Sequence, residues 1–516
     1  MSLHAMIERA ARLNPEGVAT RCNGRTVLWR ELADRVGCLA SALQFIGLAE
    51  GERTAILSLN SDRYYESIFA ITWASGCVVP LNTRWALPEN KYALGDGACR
   101  ILLFDDAFTE QAERLLAELD CLESAIYMGD GECPGWARSY EELISANDPI
   151  AASTRSGDDM AGIFYTGGTT GFPKGVMLSH GALYSSALGT LSQFAMARES
   201  NYLHAAPMFH IADFAASMGA TLSCACNTIL PAFEPGRVLQ ILEEEGVTHT
   251  LIVPSMIKML LSHPDADSFD LAGVDRVIYG ASPMPQATLE QFMALWPHIG
   301  LVQAYGQTEL APVATLLSVE DHLRGGKLLR SAGRPIPVSD LRIVGEDGRD
   351  CPQGSTGEVA VRGPHTMLGY WNKPEETALA LQDGWVFTGD AGVLDEQGYL
   401  YIVDRVKDMV VTGGENVFTT EVENAAITHE AVLDVAVIGI PHEEWGEAVH
   451  AIVLLHPDQR VTEEDLITHC RQQIAGYKVP KSISFRTEPM PLSGAGKVLK
   501  TELRKPWWEG LDRQVN

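Results

Sequence analysis

The sequence predicts an α/β protein with a large N-terminal domain, made of two α/β subdomains and a small β-rich, barrel-like unit, and a small α+β C-terminal domain. Helical patterns and short apolar runs alternate over about the first 330 residues, which is typical of βαβ units and mostly parallel sheets. Short strands separated by turn residues replace that alternation after about residue 331. The chain has 516 residues, too many for one core, so several domains are expected.

The predicted elements divide the chain into four parts. In the first subdomain, about 1–160, the apolar pattern predicts two strands and two helices, at Thr54–Ser58, Arg100–Phe104, Ala33–Phe45 and Tyr65–Ala74. In the second subdomain, about 161–330, the strand-like runs are Thr248–Val253 and Arg276–Tyr279. The β-rich unit, about 331–404, contains three short strands, at Leu341–Val344, Gly357–Arg362 and Gly398–Val403. A mixed α+β region, 405–516, follows, and its first helix has a capping-box pattern, Thr420-x-x-Glu423.

Charge and composition argue against several classes of protein. The chain carries 39 basic against 67 acidic residues, a net charge of −28, so we expect no binding of nucleic acid or of anionic membranes. The N-terminus has no basic segment before an apolar run, and Gly76 and Pro80 interrupt the apolar stretch Ala70–Leu81. We therefore expect neither a signal peptide nor a membrane span. Ten scattered cysteines lack zinc spacing, which predicts reduced thiols and a cytoplasmic protein.

The strongest chemical signal is a glycine-rich segment, Tyr165-Thr-Gly-Gly-Thr-Thr-Gly-Phe-Pro-Lys-Gly175, which directly follows a short apolar strand. Glycines let backbone N–H groups approach an anion closely, threonine hydroxyls add donors and Lys174 adds a cation. The segment therefore predicts a phosphate-binding loop. A Walker A loop is the alternative, but Lys174 follows Pro173 rather than glycine, and Gly175 stands where Ser or Thr would bind magnesium.

This segment resembles the phosphate loop of the adenylate-forming superfamily, which comprises acyl-CoA synthetases, amino-acid adenylation domains and luciferases. The resemblance is to the acyl-CoA synthetase, or fatty-acid–CoA ligase, branch and extends from the N-terminal α/β unit to Lys497. It implies an ATP-dependent ligase that forms an acyl-adenylate from a carboxylic acid and then passes the acyl group to coenzyme A. ATP, Mg²⁺ and coenzyme A are the implied cofactors and co-substrates. The resemblance also implies a mobile C-terminal domain, and a homodimer is left open.

The resemblance assigns a nucleotide site to several segments. Tyr305-Gly-Gln-Thr-Glu309 is similar to the second nucleotide motif, in which Thr308 would contact the α-phosphate and Glu309, with Thr166, would hold Mg²⁺. Asp390 would bind the ribose hydroxyls, and Arg405 would reach the ribose. The implied nucleotide contacts are Thr166, Gly167, Gly168, Thr169, Thr170, Gly171, Lys174, Gly280, Ala281, Ser282, Gln303, Ala304, Tyr305, Gly306, Thr308, Asp390, Arg405 and Lys497.

Further segments are implied to act when the C-terminal domain moves. Val403–Asp408 resembles the hinge, with Asp404 as the residue whose dihedral angles change. Lys497 occupies the place of the lysine that bridges the substrate carboxylate and the α-phosphate, where an ammonium ion removes their repulsion. A later glycine loop resembles the loop that lines the thiol tunnel, and the implied CoA contacts are Gly413, Gly414, Trp445 and Lys478.

Pro207-Met-Phe-His210 indicates the kind of acid. Amino-acid-activating relatives have an aspartate at the last position of this segment. This chain has His210 there, and in this it resembles fatty-acyl and aryl ligases. His210 is therefore implied to gate the acyl pocket or to orient the carboxylate, which adds it to a catalytic set of Lys497, Thr166, Thr308 and Glu309. The implied pocket wall is small and apolar, with Asp213 as the only charge nearby, and consists of His210, Ile211, Phe214, Gly280, Ala304 and Val313.

These features favour a hydrophobic monocarboxylic acid, with a medium- or long-chain fatty acid ahead of an aryl or alicyclic acid. An acyl-carrier-protein ligase is one alternative. A non-catalytic acyl or nucleotide binder is an alternative of another class. The joint presence of the charged and hydroxyl residues of the site argues against a binder: Thr166, Lys174, Glu309, Asp390, Arg405 and Lys497.

Overall fold

The computed structural model describes residues 1–166, 173–413, 415–492 and 498–509, with the backbone but not the side chains of Val406 and Asn416. The chain divides into two compact units. The first comprises Met1–Leu341 and Val361–Val386, and the second comprises Arg342–Ala360 and Phe387–Asn516. The hinge at Asp404 and the domain limits derived from it stay predictions.

The helices and strands alternate along most of the chain. The helices are α1 (His4–Leu13), α2 (Trp29–Phe45), α3 (Asp62–Trp73), α4 (Leu87–Asp96), α5 (Thr109–Glu118), α6 (Tyr140–Ser145), α7 (His180–Phe194), α8 (Ile211–Leu222), α9 (Pro235–Glu244), α10 (Pro254–Leu261), α11 (Gln286–Leu295), α12 (Val319–Arg324), α13 (Pro374–Ala380), α14 (Thr419–Ile427), α15 (Glu463–Arg471) and α16 (Lys500–Trp508).

The strands are β1 (Val18–Cys22), β2 (Arg25–Leu28), β3 (Arg53–Leu57), β4 (Cys77–Pro80), β5 (Ile101–Phe104), β6 (Ser124–Tyr127), β7 (Arg138–Ser139), β8 (Met160–Thr166), β9 (Lys174–Ser179), β10 (Asn201–His204), β11 (Cys226–Ile229), β12 (His249–Leu251), β13 (Arg276–Gly280), β14 (Gly300–Gly306), β15 (Val313–Leu317), β16 (Arg334–Pro335), β17 (Asp340–Val344), β18 (Gly357–Arg362), β19 (Gly369–Tyr370), β20 (Leu381–Gln382), β21 (Trp385–Leu394), β22 (Leu400–Arg405), β23 (Val410–Thr412), β24 (Glu415–Val417), β25 (Val432–His442), β26 (Gly446–Leu455) and β27 (Ser482–Arg486). Each strand and helix named in the sequence analysis is present, with ends that differ by a few residues.

Two mostly parallel sheets form the first unit, which confirms the α/β class. One sheet has the strand order β19-β9-β8-β4-β3-β5-β6-β7, and the other has the order β16-β15-β14-β13-β12-β10-β11-β1-β2. Their central strands are buried on both faces. Leu102, Leu103 and Phe104 of β5, whose side chains alternate between the two faces, are fully buried, for example, and Phe104 stacks on Trp136 with ring centroids 5.1 Å apart. Such strands are continuously apolar because helices cover both faces of the sheet.

The two sheets do not follow the predicted division at about residue 160. β1 pairs in parallel with β11, so an N-terminal strand joins the later sheet. The β8–β9 hairpin joins the earlier sheet through the pairing of Gly162 with Val78. A Cβ at position 162 would lie 2.6 Å from the Val78 carbonyl oxygen, so only glycine allows this approach. Long-range pairing, which local periodicity does not encode, decides this exchange of strands.

The second unit contains a β-rich part and an α+β part. In the β-rich part, β18 lies between β17 and β21, and β22 pairs with β21. The α+β part has the strand order β24-β23-β26-β25, with β27 parallel to β26. Its core is formed by valines on the β25–β26 pair, such as Val437 and Val449, and by Leu466 of α15, all fully buried. No helix in the described ranges is long and apolar enough to cross a membrane.

The predicted capping box at Thr420 and Glu423 does not form. α14 already begins at Thr419, with Phe418 as the N-cap residue, and the buried carboxylate of Asp404 accepts hydrogen bonds from the Thr419 N–H and hydroxyl. Glu423 instead pairs with Lys500 at 2.7 Å. A distant carboxylate therefore supplies the charge that favours a helix N-terminus.

Two buried histidines of the first unit, His4 and His180, have rings 5.9 Å apart. The Leu3 N–H donates to His180 Nδ1 at 3.3 Å, so that nitrogen is unprotonated. Burial lowers the pKa of His4 to about 4 and that of His180 to about 3, because a charged imidazolium would lose its hydration. Both rings are therefore neutral in the folded protein at pH values where an unfolded histidine is charged.

We expect the free energy of unfolding to fall as the pH drops from 6.5 toward 4. The unfolded chain, with a histidine pKa of 6.5, binds protons there that the two folded rings do not accept. Each ring removes about 2 kcal/mol at about pH 5, since one pKa unit is about 1.4 kcal/mol. His180→Asn retains an acceptor for Leu3, so its Tm should decrease less than the wild-type Tm between about pH 7.5 and about pH 5. Exposed His456→Asn is the control, and an unchanged pH dependence in His180→Asn would contradict this assignment.

Candidate active site

The glycine-rich loop begins and ends on one strand pair. β8 and β9 are antiparallel, with Thr166 opposite Lys174, and the Thr166 hydroxyl donates to the Lys174 carbonyl at 3.4 Å. The structure therefore brings together two predicted phosphate contacts. Five others stay predictions because they lie outside the described residues: Gly167, Gly168, Thr169, Thr170 and Gly171.

The second predicted nucleotide motif lies beside this strand pair. β13 and β14 are parallel and pair Gly280 with Ala304, so both strands direct their carboxyl ends to the edge where open α/β sheets bind ligands. A Cβ at position 280 would lie 2.1 Å from the Ala304 carbonyl oxygen, so this close pairing requires glycine. After β14, a 3₁₀ turn carries Thr308 and Glu309 and packs against β9. The turn is thus next to the strand that starts at Lys174.

The remaining residues predicted on the adenine side flank the ends of β13 and β14. Ala281 has φ +66°, a left-handed conformation that alanine rarely adopts. Strain of this kind is concentrated at functional sites, because surrounding structure has to maintain it. A Cβ at Gly306 would lie 2.0 Å from the Pro312 carbonyl oxygen, so the chain passes close to itself there. Three further side chains at these strand ends are partly exposed, as ligand contacts need to be: Ser282, Gln303 and Tyr305.

Tyr370, which the sequence analysis missed, connects the two motifs. β19 pairs with β9, with Tyr370 opposite Val176. The Tyr370 hydroxyl donates to Glu309 Oε1 at 2.7 Å, and Lys174 Nζ lies 5.2 Å from the centroid of its ring. Sixty-one positions separate Tyr370 from Glu309, and no local pattern signals their contact.

Glu309 is suited to a hard divalent cation. Mg²⁺ prefers carboxylate and phosphate oxygens, and the Glu309 side chain is partly exposed on the turn that packs against β9, the strand that starts at Lys174. Thr166, the other predicted ligand, is the last residue of β8. Among the residues that the structure describes, no group of three or more His, Cys, Asp and Glu side chains could hold a metal ion. The residues present fit a Mg²⁺ ion that the Glu309 carboxylate shares with a polyphosphate.

The predicted acyl wall surrounds the start of α8. His210 is the N-cap residue of α8, and its ring centroid lies 4.2 Å from that of Phe209. Ile211 and Phe214 are buried, and Phe214 packs edge-to-face on Phe164 of β8 at 4.9 Å. α8 also shares one apolar cluster with two further predicted wall residues, Ala304 and Val313. The structure therefore groups the predicted wall around one helix and the strands beside it.

Asp213 is not a free charge of this wall. It is fully buried, with Oδ2 2.7 Å from His204 Nδ1, and Oδ1 accepts from the Tyr202 hydroxyl at 2.9 Å. His204 Nε2 in turn lies 3.0 Å from Asn227 Oδ1. Buried charges are normally neutralised by such partners. Both oxygens of the Asp213 carboxylate therefore have partners within the protein, and the wall is more apolar than its sequence suggests.

In the second unit, the two predicted ribose contacts face each other. β21 and β22 place Asp390 opposite Arg405, and Arg405 Nε lies 3.0 Å from Asp390 Oδ1. Beside them, Glu358 accepts from the Gly389 N–H at 2.9 Å, and burial together with the charge of Asp390 raises the pKa of Glu358. The bond to Gly389 fixes the backbone next to Asp390. The pairing of β21 with β22 places the Asp390 carboxylate and the Arg405 guanidinium together on one strand pair.

Two of the predicted CoA contacts lie together in the second unit. Gly413 has φ +60°, and its N–H donates to the Trp445 carbonyl at 3.0 Å. The Trp445 ring stacks on His442 with centroids 4.2 Å apart, and Lys481 Nζ lies 5.2 Å from the Trp445 ring. An aromatic ring beside a cation is a surface suited to a base and its phosphates.

The other predicted residues of this unit are separate or lie outside the described residues. Lys478 Nζ is 2.6 Å from the Glu421 carboxylate, so it is engaged in an ion pair of its own. Gly414 and Lys497 lie outside the described residues, and their roles stay predictions.

Comparison with known proteins gives consistent results along the whole chain. The sequence pattern of AMP-binding enzymes matches residues 7–371, and that of the C-terminal domain of AMP-binding enzymes matches residues 421–497. A feruloyl-CoA synthase from an Amycolatopsis species is 36% identical over 498 residues, which is 96% of this chain and 97% of the relative. A fatty acid–[acyl-carrier-protein] ligase of Streptomyces coeruleorubidus is 34% identical over 513 residues, 98% of this chain and 96% of the relative. The crystal structure of ATP-bound MatB from Rhodopseudomonas palustris has a TM-score of 0.89 at 28% identity and covers 99% of this chain and 100% of that one.

Proposed function

Because the chain belongs to the AMP-binding enzyme family, and is an AMP-forming acid–thiol ligase, we propose that it converts a hydrophobic monocarboxylic acid into its acyl-CoA thioester with ATP. One observation carries this proposal. The Thr166–Lys174 strand pair and the turn with Thr308 and Glu309 lie side by side, because the turn that follows β14 of one sheet packs against β9 of the other. Such a junction can hold a polyphosphate and its metal ion.

In the first step, the substrate carboxylate attacks the α-phosphorus of ATP, a carboxylate–phosphate bond forms and pyrophosphate leaves. No general base is needed, because a carboxylic acid is already ionised at neutral pH. Lys174, Thr166 and Thr308 bind the phosphates, and Lys497 neutralises the carboxylate and the α-phosphate as they meet. Mg²⁺ at Glu309 would neutralise further phosphate charge. The catalysis is positioning and charge stabilisation.

In the second step, the thiol loses its proton to solvent and its sulfur attacks the acyl carbon, so that the thioester bond forms, the bond from the acyl carbon to the phosphate oxygen breaks and AMP leaves. Rotation of the C-terminal domain about Asp404 would withdraw Lys497 and bring in the loop with Gly413 and Gly414. Trp445 and Lys478 would then contact coenzyme A. These roles rest on the family resemblance and on the contact between Gly413 and Trp445.

The apolar wall supports a hydrophobic acid without a second charge. Phe214 and Ile211 are buried in it, and both oxygens of the Asp213 carboxylate have hydrogen-bond partners within the protein. A buried apolar wall binds hydrocarbon in proportion to the surface that it covers. We therefore favour a medium- or long-chain fatty acid, and the carrier-protein ligase relative is likewise named for a fatty acid.

Two other combinations of substrate acid and thiol acceptor are each supported by one of the relatives. The feruloyl-CoA synthase relative favours an aryl acid with CoA as the acceptor. The Streptomyces coeruleorubidus relative favours a carrier protein as the acceptor. Both pairs use the same first step and differ only in the acid or the thiol.

The test is to incubate the protein with MgATP, CoA and a panel of fatty, aryl and alicyclic acids, and to measure AMP and thioester separately. AMP together with acyl-CoA from fatty acids is the expected result. A preference for aryl acids would select the second acid class, and AMP without CoA thioester would select a carrier protein. No AMP with any acid would contradict the proposed function and support a non-catalytic binder.

A further inference from the structure

We propose that Tyr370 is a positioning residue for the carboxylate of Glu309, which it holds ready for the metal ion of MgATP. The inference rests on the proposed function and goes beyond it, because it gives a role to a residue outside the nucleotide motifs. Tyr370 acts through Glu309 and Lys174, and it does not itself touch the reacting atoms.

The first support is that one short segment binds Glu309 twice. The Met367 N–H donates to the Glu309 backbone carbonyl at 2.9 Å, and the Tyr370 hydroxyl donates to Glu309 Oε1 at 2.7 Å. A glutamate side chain at a loop end otherwise samples several rotamers, which costs entropy when it binds an ion. A phenol bonded to one oxygen selects one rotamer and leaves the other oxygen to bind metal.

The second support is the cation on the other side of the ring. Lys174 Nζ lies 5.2 Å from the Tyr370 ring centroid, within the range of a cation–π contact. The ring of Tyr370 therefore restrains the ammonium of the phosphate loop while the hydroxyl of the same residue restrains the carboxylate. A single side chain therefore restrains both the carboxylate that would bind the metal ion and the ammonium that would bind the phosphates.

The third support is that the backbone of this segment is anchored without the Tyr370 side chain. The Leu368 N–H donates to the Met177 carbonyl at 2.9 Å, and the Trp371 N–H donates to the Gly175 carbonyl at 2.7 Å. The Trp371 indole donates to the Asp96 carbonyl at 2.8 Å. Loss of the hydroxyl should therefore leave β19 in place.

Tyr370→Phe separates the two roles of the side chain, because it keeps the ring and removes the hydroxyl. In calorimetric titrations of ATP without acid, we expect Tyr370→Phe to raise the Mg²⁺ concentration for half-maximal ATP binding by about 10- to 100-fold, as is typical for partners of metal ligands. ATP binding in EDTA and the Tm should be unchanged. Tyr370→Leu removes the ring as well and should also weaken ATP binding in EDTA.

The matched control is Tyr127→Phe, which removes a tyrosine hydroxyl that donates to another carboxylate, Asp106, outside the candidate site. It should leave the Mg²⁺ dependence unchanged. A double-mutant cycle with Glu309→Gln gives a second readout, since residues that act through one another are not additive. Tyr370→Phe should have little further effect on Mg²⁺ dependence once Glu309 is glutamine.

Three results would overturn the inference: a wild-type Mg²⁺ dependence in Tyr370→Phe, an equal loss of ATP binding with and without Mg²⁺, or full additivity with Glu309→Gln. The proposed function fails separately. If the wild-type protein shows Mg²⁺-dependent ATP binding but releases no AMP with any acid, the ligase proposal is contradicted, whereas the Tyr370 result stands. Absence of MgATP binding by the wild-type protein would overturn both.

Discussion

Lys497→Ala is expected to lower the rate of acyl-adenylate formation by about 100- to 1,000-fold, the loss typical of a removed charge-stabilising donor. The ammonium of Lys497 is proposed to lie between the substrate carboxylate and the α-phosphate, two anions that repel each other. The second half-reaction does not bring these anions together. The same variant should therefore form thioester from preformed acyl-adenylate at close to the wild-type rate.

The two half-reactions can be measured separately. Acid-dependent exchange of labelled pyrophosphate into ATP reports adenylation, and AMP release from synthetic acyl-adenylate with CoA reports thioester formation. Lys505→Ala is the control, because Lys505 is exposed on α16 a few residues further along the same unit. Equal losses in both half-reactions of Lys497→Ala would contradict the division of roles between the two steps.

Gly280→Ala is expected to reduce adenylation by about 100-fold, because displacement of catalytic groups by about 1 Å has effects of this size. The added Cβ would lie 2.1 Å from the Ala304 carbonyl oxygen and 3.1 Å from the Ala304 carbonyl carbon. Both atoms are backbone, so β13 and β14 must separate at the end that leads to Thr308 and Glu309. We also expect a loss of about 1–3 kcal/mol in the free energy of unfolding from overpacking.

Gly273→Ala is the matched control, since it adds the same methyl group just before β13. The nearest atom to its Cβ would be the Val247 carbonyl oxygen at 3.9 Å, an ordinary van der Waals distance. Thermal unfolding and pyrophosphate exchange of the two variants should be measured side by side. Wild-type activity and Tm in Gly280→Ala would show that the two strands do not need their close pairing.

Most of the element types were predictable because they depend on local chemistry. The alternation of helical and apolar patterns predicted β3, α3, β5, β12 and β13, and the turn residues after about residue 331 predicted β17 and β18. A prediction from the local sequence was wrong where a distant residue determines the structure. α14 starts at Thr419 rather than at the predicted capping box because the Asp404 carboxylate accepts from its first residue.

The features of the predicted site also fall into two groups, those that the local sequence indicates and those that depend on contacts between distant residues. The motifs around Lys174 and Glu309 were predicted from the sequence because phosphate binding needs glycine, hydroxyl and cation within a few residues of one another. Their partner Tyr370 was not, since nothing next to it in the chain indicates that β19 pairs with β9. Asp213 was predicted near the acyl wall, but its bond to His204 could not be predicted from the sequence.

The sequence by itself determined the α/β class and the membership in the family, and it predicted the phosphate loop and the second nucleotide motif, because these depend on short-range periodicity and on residue types at fixed spacing. The tertiary structure alone decided that β1 joins the later sheet, that Asp404 caps α14, that Asp213 contacts His204 and that Tyr370 meets Glu309. The physical reason is that hydrogen bonds and ion pairs between distant residues depend on which strands pair, and strand pairing is a property of the whole packed chain.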